Sequence, residues 1–210
     1  MNDQSAARPR GGLLKWALWG AALIGVAAIV YIIAQASTKP AEPKVAARPA
    51  APPAETHDVA KKLEHPADGR PPPAYAFVDA DGKSVTAGSF KGKVVVMNLW
   101  ATWCAPCKNE MPTLAKLQQA YAGRPVQVVA VSIDKPEAVV QAKAFIASLA
   151  PLAFYNDPEA KFPWELKPAA TGMPTTLILG KDGLERGRIS GEADWAGPGA
   201  KAVIDKALAG

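Results

Sequence analysis

Cysteine is scarce in this chain, with two in 210 residues. That excludes a disulfide-rich secreted scaffold and a self-contained four-cysteine zinc site. Histidine is as scarce: His57 and His65 both lie in a proline- and alanine-rich stretch, where solvated side chains are expected rather than metal ligands. Excess charge of one sign is also small. Lys and Arg total 24 against 19 Asp and Glu, a net charge of +5. Residues 1–73 hold 9 basic and 6 acidic groups, and residues 74–210 hold 15 and 13. The later part is close to neutral, so the basic balance gives no argument for a nucleic-acid face. No internal repeat is visible. What the chain does have is 49% hydrophobic residues, ordinary for a protein with a core, at a length of one domain plus appendages.

Residues 1–15 read as a short polar tail carrying Arg8, Arg10 and Lys15. Trp16 to Ala34 follow without a charge. As a helix this stretch is about 28 Å long, near the hydrocarbon thickness of a bilayer. Trp16, Trp19 and Tyr31 lie near its ends, where amphipathic rings favour the interface. Residues 16–36 are therefore expected to be a signal-anchor transmembrane helix, with the N-terminus cytoplasmic and the rest exported. The alternative is a cleaved signal, for which Ala34-Gln35-Ala36 has a small-x-small pattern, although the apolar stretch exceeds the usual signal core of about 7–15 residues. Residues 37–73 contain nine prolines and no apolar periodicity. They are expected to form a disordered linker, because such a segment buries too little to offset its ordering entropy.

Residues 74–210 read as globular. Tyr75–Val78 and Ser84–Thr86 flank Asp81-Gly82, a hairpin signal. Lys93 to Trp100 is a near-continuous apolar run, expected of a central buried strand. A helical pattern from about Cys104 to Tyr121 places Met111, Leu114, Leu117 and Tyr121 on one face. Val126–Ser132 is a second strand, and a helix from Pro136 to Leu149 follows. Strand, helix, strand, helix implies a parallel unit. Beyond it come a short strand at Leu152–Tyr155, a short helix around Ala160–Leu166, strands at Thr175–Leu179 and Leu184–Ile189, and a last helix from Gly199 to Leu208.

Both cysteines fall in Trp103-Cys104-Ala105-Pro106-Cys107, between the buried strand and the first helix. A CxxC in that context reads as a redox dithiol. The unpaired N–H groups at a helix start stabilise an anion, so Cys104 is expected to be the nucleophilic thiolate. Cys107, one turn inside, is expected to stay protonated and buried until it resolves the mixed disulfide. Pro106 restricts the loop at the helix start. Competing readings are a structural disulfide, half of an intermolecular zinc site, or an inert thiol pair. The first closes a loop too small to restrain the unfolded chain much, and the last conflicts with a helix-start location. A second feature is Gly172-Met173-Pro174-Thr175-Thr176, where a proline opens a strand. An X-Pro bond can be cis at modest cost, and the peptide before the proline is free to meet an extended substrate segment.

These residues resemble a thioredoxin-fold protein of the membrane-anchored TlpA/ResA/CcmG branch. The resemblance runs over residues 74–210. It rests on Asn98 to Pro112, on Gly172 to Thr176 and on the Gly180-Lys181-Asp182-Gly183 turn. The late Gly191-Glu192-Ala193-Asp194-Trp195 and the inserted region from Phe154 to Leu166 are most similar to the TlpA type. The fold implied is α/β: a central mixed sheet flanked by helices, with an N-terminal β-hairpin and a central insertion. The resemblance implies that Pro174 is cis and packs against the cysteines, and that Trp103, Ala105, Pro106 and Met173 contact the substrate. Thioredoxins carry a buried Asp six residues before the first cysteine; here Asn98 stands there and cannot titrate. The resemblance moves the proton-handling role to Glu110, for which the alternative is a helix-surface acid favoured by the positive helix start.

The expected function is a periplasmic, inner-membrane thiol:disulfide oxidoreductase that reduces partner disulfides through Cys104 and Cys107. The redox-active disulfide itself is the functional group; no cofactor, metal or nucleic acid is expected. The resemblance implies exported partners (a copper chaperone, an oxidase copper-site subunit or apocytochrome c) and a membrane thiol electron donor. The alternatives are a tethered copper-binding adaptor, since Cu(I) favours soft thiolates, and a dithiol oxidase running the same motif in reverse.

Overall fold

The computed structural model describes residues 57–65 and 69–210. The expected tail, the transmembrane helix at 16–36 and the linker up to residue 56 lie outside the described residues. Among those described, no helix is long and apolar enough to cross a membrane. The elements are helix α1 (Val59–Lys62), strands β1 (Ala76–Asp79), β2 (Ser84–Thr86) and β3 (Val94–Trp100), helix α2 (Ala105–Ala120), strand β4 (Val126–Ser132), helix α3 (Val139–Ala147), strand β5 (Phe154–Asn156), helix α4 (Phe162–Glu165), strands β6 (Thr175–Leu179) and β7 (Glu185–Ser190), and helix α5 (Pro198–Ala209).

The apolar run at Lys93–Trp100 becomes β3, buried at every position. Successive side chains of a strand point to opposite faces, and β3 divides accordingly. Val94, Val96 and Trp100 join a cluster with Met111, Leu114 and Leu117 of α2 and Ile204 of α5. Val95, Met97 and Leu99 join a second cluster with Phe77, Phe162 and Leu166. Burying each such side chain is worth roughly 1.5–3 kcal/mol, so the sheet is held from both faces. Asn98 shares the phase of Val96 and Trp100 and is carried, fully buried, to the α2 side.

The sheet has seven strands in the order β2-β1-β5-β4-β3-β6-β7. β3 and β4 run parallel, as do β4 and β5, while β6 and β7 return antiparallel. The mixed sheet, the N-terminal hairpin β1–β2 and the inserted α4 region match the expected thioredoxin-type fold. Element ends differ by small amounts. Pro136–Ala138 forms a separate 3₁₀ turn before α3, and β5 begins at Phe154.

One expectation needs correction. The linker does not run unstructured to residue 73, because residues 57–65 are part of the domain. Asp58 caps α1 by accepting from Ala60 N and Lys61 N at 2.8 and 3.2 Å. Val59 is fully buried in the α2–α5 cluster. Glu64 exchanges backbone hydrogen bonds of 2.8 and 2.7 Å with Arg188, covering part of the edge of β7. The composition of the stretch hid two apolar residues four apart, Val59 and Leu63, which is one helical turn.

Candidate active site

The C-terminal end of β3 delivers the chain to the cysteines. Ala101 and Thr102 are buried, and the Cys104 N–H closes a turn onto Ala101 O at 3.1 Å. Helix α2 starts at Ala105, with Cys104 as its N-cap. The Cys104 Sγ accepts the Cys107 N–H at 3.3 Å, so a sulfur takes the place a capping oxygen usually fills. That N–H and the positive end of a 16-residue helix both favour negative charge on this sulfur. Pro106 lies in the first turn, where a missing N–H leaves nothing unpaired. The two cysteines are joined in a disulfide, Cα to Cα 5.3 Å. Cys104 keeps 6% of its surface and Cys107 none, so an incoming group can reach the first sulfur alone. Trp103, Ala105 and Pro106 are exposed around it, Trp103 by 68%. A shallow recess beside Trp103 is lined by Ile133, Lys135 and Ala160.

The Met173–Pro174 bond is cis, as are Ala150–Pro151 and Lys167–Pro168, which the sequence did not single out. Pro174 is buried and Met173 is half-buried, in contact with both clusters. β6 begins at the next residue and pairs Thr175 with Leu99 and Thr176 with Asn98. The loop that carries Pro174 therefore lies at the end of β3 from which the CxxC segment emerges.

Glu110 is one turn beyond Cys107 on α2, and it is 1% exposed. A helix-surface role is overturned. Asn98 Nδ2 donates to Glu110 Oε1 at 2.6 Å. Ala193 N and Trp195 Nε1 donate to Oε2 at 2.9 and 3.3 Å. Burial pushes the carboxyl up to about 7, against the pull of these three donors, and the charge of Glu192 adds a smaller upward push. A buried carboxyl that titrates near neutrality can both take and give a proton. Asn98 Nδ2 also donates to Thr176 Oγ1 at 2.8 Å, while its Oδ1 has no partner. The sequence had flagged Asn98 only as a group that cannot titrate; its part as a donor to Glu110 was missed. The in-phase positions 107, 110, 114, 117 and 121 were the available signal for the burial of Glu110.

A second buried carboxylate was not anticipated. Asp134 accepts from Thr102 N at 2.9 Å, Thr102 Oγ1 at 2.7 Å and Ser132 Oγ at 2.7 Å. It fixes the turn that precedes Trp103 and Cys104.

The fold and this constellation define a thiol:disulfide oxidoreductase of thioredoxin type: a disulfide at a helix start, one accessible sulfur, one enclosed sulfur, a cis-proline loop at the same end of the sheet and a buried acid near neutrality. The Redoxin family profile matches residues 67–206, and the chain belongs to that family. Over 127 residues it is 32% identical to the thiol-disulfide oxidoreductase ResA of Bacillus thuringiensis subsp. konkukian, covering 59% of this chain and 70% of that one. It is 28% identical over 118 residues to ResA of Bacillus subtilis strain 168, covering 55% and 63%. Among solved structures, a thioredoxin-family thiol:disulfide interchange protein of Chlorobium tepidum TLS superposes with a TM-score of 0.55 at 26% identity, covering 68% of this chain and 98% of that one. A ResA-like branch of thioredoxin-fold proteins is thereby supported.

Proposed function

We propose that this oxidoreductase is a membrane-anchored periplasmic reductant of protein disulfides, and that it assigns its two sulfurs different work. The observation that carries the reading is the inequality at the start of α2: Cys104 caps the helix and is reachable, whereas Cys107 is enclosed. In the reduced enzyme, the Cys104 thiolate attacks one sulfur of a partner disulfide. One Cys104–partner S–S bond forms, and the partner's other sulfur leaves as a thiolate that takes up a proton. Cys107 then gives its proton to Glu110 and attacks Cys104 Sγ. The Cys104–Cys107 bond forms and the partner's second thiolate departs, to be protonated in turn. The partner gains two electrons and two protons, and the enzyme ends as the disulfide. Trp103, Ala105, Pro106, Met173 and Pro174 are assigned to holding the partner segment.

Residues 16–36 are assigned as the anchor, with the domain in the periplasm of a bacterial inner membrane. A membrane thiol carrier would return the enzyme to its reduced form. The partners proposed are exported proteins with reducible cysteine pairs, those of cytochrome oxidase copper-site assembly or apocytochrome c. The Gly191–Trp195 segment, whose sequence resembles the TlpA type, favours the copper-site route.

The test is a Cys107→Ser chain in its own membranes, in which the second attack is blocked. Covalent adducts through Cys104 that dissolve in dithiothreitol are expected. Their absence, with tight stoichiometric Cu(I) binding by the parent, would turn the assignment toward a copper-binding adaptor. A reduction potential well above about −200 mV would reverse the direction of transfer.

A further inference from the structure

Two of the three donors to Glu110, Ala193 N and Trp195 Nε1, belong to a single loop, residues 191–195. From the inside that loop is tied to α2 and to the proline loop. Trp195 N–H donates to Thr113 Oγ1 at 3.1 Å and Gly191 N–H to Pro174 O at 2.8 Å. From the outside it is tied to the segment that precedes the β-hairpin. Asp194 N–H donates to His57 O at 2.7 Å, and Lys62 Nζ donates to Glu192 O at 2.6 Å. His57 Nδ1 lies 3.3 Å from the same carbonyl.

The segment has a built seat. A Cβ at Gly199 would fall 2.4 Å from Asp58 Oδ1, and one at Gly187 would fall 2.5 Å from Leu63 Cδ1. Together with the burial of Val59, these two glycines hold residues 58–63 against α5 and β7.

We propose that residues 57–64 are a positioning segment for Glu110: by pinning the 191–195 loop from outside, they keep two of the carboxylate's three donors in reach. The segment touches neither sulfur. It acts through the loop, and its consequence for turnover rests on the proton-handling reading of Glu110 given above.

The surrounding charges are few. Glu192 on the loop pushes the carboxyl upward and accepts from Asn109 at 3.4 Å. His57 and Lys62 face the Glu192 carbonyl. Asp58 is turned into the amides of α1, and Asp194 accepts from Ala196 N at 3.0 Å. From β3 and β6 come the uncharged Asn98 and Thr176, and on α2 the neighbour one turn back is Cys107, held in the disulfide. With burial pushing up and donors pulling down, loosening the loop moves Glu110 further up.

The experiment uses the full chain in detergent, oxidised, with ¹³C-labelled glutamate and the Glu110 carboxyl resonance identified by its loss in Glu110→Gln. Gly199→Ala puts a methyl group where Asp58 sits; Lys62→Met removes one bond to the loop and keeps the stem. Expected are faster exchange of the Asp194 amide and a Glu110 midpoint higher by about one unit in Gly199→Ala, a tenfold change in proton affinity, with a smaller rise in Lys62→Met. Should Gly199→Ala not fold, Lys62→Met decides alone. A midpoint that stays put while the Asp194 amide loosens overturns the proposal, and so does an Asp194 amide that keeps its protection in the variants. The carboxyl titration does not depend on what Glu110 does in turnover. If Glu110→Gln keeps the parental pH–rate profile, the proton-handling reading fails and the positioning result stands.

Discussion

Two buried carboxylates, Asp134 and Glu110, flank the cysteines and are held in opposite ways. Asp134 takes its donors from the ends of β3 and β4, at Thr102 and Ser132. Asn156 of β5 clamps the same corner by donating to the backbone oxygens of Ser132 and Asp134 at 3.0 and 2.9 Å. Every partner is part of the sheet or within two residues of it. Glu110 shares one donor with the sheet, Asn98, and hangs its other oxygen on a loop 83 to 85 positions away. The first arrangement fixes the path of the chain into the CxxC. The second leaves a proton-accepting group whose affinity depends on how well a loop is seated. Rigidity is placed where a sulfur must be aimed, and adjustability where a proton must come and go.

That contrast can be broken from either side. Asp134→Ala leaves the Thr102 N–H, the Thr102 hydroxyl and the Ser132 hydroxyl without their acceptor; a loss of about 3–5 kcal/mol is expected in urea unfolding. For Glu110 the sign with pH is set by its raised value. The unfolded chain releases this proton near 4.5 and the folded chain near 7. Its contribution to stability is therefore complete below about 4.5 and declines as pH rises toward 7, by up to about 3 kcal/mol. Unfolding of parent and Glu110→Gln chains measured at several pH values should show this decline in the parent alone. In turnover, Glu110→Gln should slow disulfide reduction at pH 7 by roughly 10- to 100-fold and flatten the pH–rate profile. The variant keeps its fold, since the Asn98 amide can turn its unpartnered Oδ1 toward the new NH₂ group. The smallest change is Asn98→Asp. Two carboxyls at the 2.6 Å contact cannot both ionise easily, so the pair should hold one proton longer and the alkaline limb of the profile should move up by about one unit.

Much of this was legible along the chain. The run at 93–100, the stripe on α2 and the CxxC at its start are local patterns, and the strand and helix they predict form where expected. Thr175–Leu179 is a strand with the bounds the sequence gives it. The cis bond before Pro174 came from resemblance, since nothing local distinguishes it from the other X-Pro bonds. Glu110 was named by resemblance but its surroundings were not, because Ala193 and Trp195 are brought to it by tertiary packing alone. The clamp on Asp134 has the same origin, with Thr102 32 positions from it. The segment at 57–65 was read as linker because proline, alanine and charge outweighed Val59 and Leu63. Its stability comes from cavities left by Gly187 and Gly199, far along the chain, and an empty space leaves no mark of its own in a sequence.

The seat at Gly187 and Gly199 also decides where this protein can be cut and spliced. A redox module transplanted onto a foreign anchor carries its full chemistry when the junction falls before His57. One joined at the β-hairpin would arrive with two vacant sockets and an unfastened loop behind its acid. The eight residues that follow a junction before His57 belong to the module and cannot be exchanged with the anchor.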